Sequence, residues 1–126
     1  MKEVDLYSVN ISLDADRVLL IKFKDGADVD VEKAEQIMKT SFKLVNKKRF
    51  YLITDARDIH GSIDHSSRKY MSEHEVNNLS IAQAIVVNNM PLKLIANFYL
   101  KFYKHNQPMR VFSNIEKARK WVLSKD

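Results

Sequence analysis

The 126 residues contain no cysteine, and only two glycines and two prolines. Without cysteine there is no disulfide framework, no thiolate metal site and no cysteine nucleophile, which suits a cytoplasmic protein. So little glycine leaves no room for a Gly-rich phosphate loop. No apolar run approaches the roughly 20 residues of a membrane span. The opening MKEVDLYSVN holds no apolar signal core, so no secretory address is expected. Repeats and low-complexity segments are also missing. What remains is 45% hydrophobic and 29% charged residues, an ordinary globular composition that excludes disordered and fibrous classes. This length suits one core, so residues 1–126 are expected to form a single domain.

The formal charge is +5, which raises the question of nucleic acid or an anionic surface. The basic residues lie in NKKR (46–49), at Lys93, Lys101 and Lys104, and in EKARK (116–120). They are dispersed among acids, as on a solvated surface, and a nucleic-acid partner is not expected.

Residues 4–13 alternate, with Tyr7, Val9, Ile11 and Leu13 on one side and Ser8, Asn10 and Ser12 on the other. Period two with one wet face predicts a strand. DADR (14–17) turns into VLLIKF (18–23), so these two strands should form a hairpin. Asp30 suits an N-cap ahead of Val31, Ala34, Ile37, Met38, Phe42 and Val45 at helical spacing. FYLIT (50–54) is a short strand, and a weaker helix over residues 64–76 turns Tyr70 and Met71 inward. IAQAIVV (81–87) is almost wholly apolar, as a strand covered on both faces requires. PLKLIANFYLKFYK (91–104) begins with a proline suited to a first helical turn. After the strand MRVF (109–112), SNIEKARKWVL (113–123) offers Ser113 and Glu116 as a capping box and buries Ile115, Ala118, Trp121 and Val122.

The order β-β-α-β-α-β-α-β-α predicts an α/β fold with a mixed, mostly parallel sheet of about five strands and four helices, the later strands joined by right-handed crossovers. It resembles the STAS superfamily of anti-sigma-factor antagonists, itself similar to CRAL-TRIO lipid-exchange domains. The likeness extends to small stand-alone bacterial proteins of that group. FKDGADVDVEKAEQI (23–37), YLITDAR (51–57), the AQAIVV strand and NFYLKFYKHNQPMRVFSNIEKARKWVL (97–123) carry the resemblance over nearly the whole chain. In signalling STAS domains a phosphorylatable serine follows an aspartate at the start of a helix, in a pattern of aspartate, two serines and glycine. DHSSR (64–68) is similar, which makes Asp64, Ser66 and Ser67 the candidate phosphorylation or helix-cap site. A histidine is inserted here, and Arg68 replaces the glycine.

The stretch DARDIHGSIDHSSRKY (55–70) is crowded with acids, bases and hydroxyls. Asp55, Arg57, Asp58 and His60 follow a strand, where open α/β sheets gather ligands. Sequence shows no defined carboxylate separation, no nucleophile elbow and no zinc-helix spacing among the histidines. A polar strand-end loop with its own charge network is expected, without a metal, a cofactor or a catalytic residue.

LKLIANFYLKFY (92–103) is the more unusual segment. Its polar positions form a narrow stripe, so its apolar surface exceeds the arc of about 100° that a sheet-packed helix needs. Leu94, Phe98, Tyr99, Phe102 and Tyr103 are therefore a candidate face for an interface or an apolar ligand. The sequence points to a non-enzymatic binding or regulatory domain, expected as a homodimer, with a regulatory protein as a further candidate partner. Its alternative is a carrier of a small apolar molecule or lipid. An enclosed apolar pocket would favour the carrier, and a flat patch buried against a second copy the interaction module.

Overall fold

The computed structural model describes residues 1–57, 62–102 and 106–125, apart from the side chains of Tyr99 and Phe102. The chain begins with β1 (Lys2–Asp5), β2 (Val9–Leu13), β3 (Val18–Phe23), the short β4 (Asp28–Val29) and α1 (Val31–Val45). It continues through β5 (Phe50–Asp55), the short β6 (Ser62–Ile63), α2 (His65–Glu73), a tight 3-10 turn at Glu75–Leu79 and β7 (Ser80–Val86). It closes with α3 (Met90–Phe102), β8 (Met109–Phe112) and α4 (Ile115–Leu123).

Six strands form the main sheet in the order β1-β2-β3-β5-β7-β8. The run from β3 to β8 is parallel, and β2 is antiparallel to both of its neighbours. This is the expected mixed, mostly parallel sheet with four helices, widened by one strand. The extra strand arises because residues 4–13 are not continuous. The chain reverses after Asp5, with the Leu6 amide donating to the Val9 carbonyl at 2.8 Å. Tyr7 is 79% exposed and Ser8 is buried, so the alternation read from the sequence holds only from Val9 onward. No glycine or proline marks this turn.

Asp30 caps α1 as expected, accepting from the Lys33 amide at 2.9 Å. The helix ends at Asn46 in the left-handed conformation, φ 53°. Its last carbonyls meet Arg17, which donates to Val45 at 2.8 Å, Lys48 at 3.1 Å and Arg49 at 3.0 Å. At the other end of the chain Asn114, not Ser113, caps α4, accepting from the Lys117 amide at 3.0 Å. An N-cap serves the free amide three positions ahead, and extended Asn114 meets that geometry with the helix starting at Ile115. Arg119 on α4 reaches back to Asp14 at 2.7 Å and Asp16 at 2.8 Å.

The sheet separates two cores. On one side Val9, Ile11, Leu19, Ile21 and Leu52 pack with Ile37 and Met38 of α1. On the other, Val18, Ile53, Ala82, Ala84 and Val86 pack with Ala118 and Val122 of α4. Trp121 is half-buried at the edge of this second core, its ring 5.7 Å from that of Phe112. Trp121→Ala should therefore cost about 2 kcal/mol, below the roughly 3–5 kcal/mol of a fully buried aromatic. The check is a lower urea midpoint with an unchanged denaturant slope.

Candidate functional site

At the end of β5 the Asp55 side chain is 2% exposed. Arg57 grips it through Nε to Oδ1 at 3.0 Å and Nη2 to Oδ2 at 2.9 Å, and the Arg57 amide adds a bond to Oδ1 at 3.1 Å. Burial pushes the Asp55 carboxyl up, but the Arg57 bonds and charge, with Lys22 beside it in register, hold it below the usual carboxylate range. The bidentate pair engages both oxygens and fixes the strand end. Asp58 and His60 lie outside the described residues.

Asp64 caps α2, with Oδ1 accepting from the Ser67 amide at 2.7 Å. Ser66 is exposed in the first turn. Ser67 is fully buried, and its hydroxyl donates to the Val29 carbonyl at 3.1 Å, which ties α2 to β4. Asp28 of β4 completes this corner by accepting from the Ser62 amide and hydroxyl.

On α3, Leu94 is 63% and Phe98 57% exposed, and Met90 and Ile95 are exposed beside them. The side chains of Tyr99 and Phe102, and all of Tyr103, lie outside the described residues. Ala96 is the one buried side chain among those described on this helix. So small a residue fills little space, and a half-open cavity of about 180 Å³ remains between α3 and the sheet. Ile21, Leu52 and Ile85 of the sheet, Met38 of α1, Met71 of α2 and Ala96 of α3 are among its walls.

Among the described residues, four polar ones also line it: Thr54, Asn77, Gln83 and Arg68. Asn77 Nδ2 donates to the Met71 carbonyl at 2.8 Å and the Ser72 carbonyl at 3.2 Å. Gln83 Nε2 donates to Ser80 Oγ at 2.9 Å and Asn77 Oδ1 at 3.3 Å. The amide donors are thus engaged within the wall. Arg68 Nη1 donates to the Ile63 carbonyl.

Sequence reasoning did not place this cavity. Of the α3 face expected to meet an apolar ligand, Leu94 and Phe98 point away from the cavity, which Leu92, Ile95 and Ala96 line instead, and Arg68 stands out in the sequence only as a departure from the STAS serine pattern. Among the described residues no group of three His, Asp or Glu side chains is arranged to hold a metal ion. No described helix is long and apolar enough to cross a membrane.

A mixed sheet with this strand order, covered by helices on both faces, is a fold shared with a solved structure. An uncharacterised protein of the DUF3478 family from Shewanella loihica PV-4, described as having a SpoIIAA-like fold, superposes with a TM-score of 0.69. The two are 12% identical over 97% of this chain and 99% of that one, a likeness that shows the fold alone. A domain family of unknown function, DUF7793, matches residues 11–125, and the chain belongs to that family. Comparison with the curated proteins finds no match.

The Asp55–Arg57 pair gives a pH-dependent expectation. At neutral pH Arg57→Ala leaves a buried carboxylate without its partner and should lower stability by about 2 kcal/mol, between the values for exposed and fully buried pairs. Asp55 has a depressed folded pKa, so this contribution is present above the unfolded value of about 3.9 and is lost as pH falls through the folded one. Urea titrations across that range should show the gap between the two proteins closing on acidification.

Proposed function

We propose that the chain is a single, non-catalytic binding domain whose ligand is a small apolar molecule held under α3. The observation that carries this reading is the cavity itself. Phe23, Ala56 and Val87 in its wall lie at the carboxyl ends of β3, β5 and β7. That is the end of an open α/β sheet where ligands gather. An apolar cavity of about 150 Å³ stays dry and admits benzene. One of about 180 Å³ therefore suits a single ring or a short chain rather than a diacyl lipid. The absence of cysteine supports a cytoplasmic setting for this domain.

Toluene is a suitable first probe. At 100 times its dissociation constant a ligand of the folded state adds about 2.7 kcal/mol of stability. The melting temperature of the wild type should rise with toluene, and that of Ala96→Leu, whose larger side chain enters the cavity, should not. No shift in the wild type, or equal shifts in both proteins, would overturn the reading.

A second reading is self-association through the outer face of α3, and the exposure of Met90, Leu94, Ile95 and Phe98 favours it. Replacing Leu94 and Phe98 with lysine would place charge where a dimer interface must dry out. Light scattering should then find a folded monomer in place of a dimer, with the circular dichroism unchanged. A wild type that already runs as a monomer removes this second reading.

A further inference from the structure

We infer that the ligand is an amphipathic anion, a single apolar ring or short chain bearing a carboxylate, and that Arg68 receives its charged end. The inference rests on the cavity under α3 being the binding site. Among the described residues that line it, Arg68 is the one with a formal charge. A neutral hydrocarbon would fill the apolar walls and offer the guanidinium no further hydrogen-bond acceptor.

The state of the guanidinium narrows the choice. It carries five N–H donors in a planar fork. Nη1 donates to the Ile63 carbonyl, and among the described residues Nε and Nη2 have no acceptor. The nearest acid in sequence, Asp64, has its carboxyl held below the usual range chiefly by Ser67 and in lesser part by the Arg68 charge, yet among the described residues its carboxylate takes no hydrogen bond from the guanidinium. The contrast with Arg57, clamped on Asp55 by two bonds, is direct. A half-buried guanidinium with open donors beside an apolar wall matches a carboxylate, which accepts two parallel N–H bonds. Of the other polar groups, the Asn77 and Gln83 amides are bonded to each other and to the surrounding wall, and the Thr54 hydroxyl brings no charge to match an anion. The ligand would then place its head at the first turn of α2 and its body among Ile21, Leu52 and Ile85.

Toluene and benzoate, alike in ring and nearly alike in size, separate the parts of this inference. In calorimetric titrations at neutral pH and low salt, wild-type protein should bind benzoate about tenfold or more tightly than toluene, as a charge-assisted hydrogen bond implies. Arg68→Gln should lose the preference while keeping its affinity for toluene, and Arg68→Lys should retain part of it. In the wild type, benzoate but not toluene should shift the Arg68 Nε–H resonance, a readout that needs no variant to fold. Toluene binding without a benzoate preference would overturn the anionic ligand and leave the cavity reading standing. A preference that survives in Arg68→Gln, or an unmoved Nε–H resonance, would overturn the role of Arg68. Failure of both probes to bind would overturn the cavity reading together with this one.

Discussion

The strand Ser80–Val86 has no polar side to give to water, so both of its faces must be covered. Ala82 and Ala84 point to one face, where their small side chains let Ala118 and Val122 of α4 come close. Gln83 and Ile85 point to the other, and there the cover is incomplete. Three helices contribute to that layer, yet α3 offers Ala96 where a leucine would have closed the gap. The same strand is thus tightly packed on one side and fronts a void on the other. Close packing is the rule in protein interiors, and a gap of this size forgoes the dispersion contacts that would line it.

The arginines show how the chain divides structural from available charge. Arg17 donates to three carbonyls at and just beyond the end of α1. Arg57 is held by Asp55, and Arg119 by Asp14 and Asp16. Arg110 lies over the Phe112 ring at 5.1 Å. Arg68, at the cavity wall, donates to one carbonyl among the described residues and lies near the Asp64 carboxylate without bonding it.

Much of the fold was legible because its signals are local. Asp30 three positions before Lys33 marks a cap, and the apolar spacing that follows marks α1. The β7 run was recognisable because an apolar sequence of strand length has few other uses. Tyr7 misled because it continues the alternation of Val9, Ile11 and Leu13, although the chain has already turned before them. Asn114 was passed over because its neighbour Ser113 completes a capping-box pattern one register earlier. The strand-end loop was legible in part: Asp55 and Arg57 are two residues apart, close enough for sequence to suggest the pair. The cavity had no such signal. Its walls come from segments between Ile21 and Met109, and no short window contains the distances among them.

The contact between Arg119 and Asp14 joins positions 105 residues apart. Closing so long a loop carries an entropic cost before any other contact offsets it, and that cost grows with the logarithm of loop length. An ion pair that closes so long a loop gains least while the strands between its ends are still unpaired. Interactions formed after the transition state govern how fast the native state is lost, not how fast it is reached. A clasp that forms late acts on the lifetime of the folded chain, holding the last helix against the turn between β2 and β3.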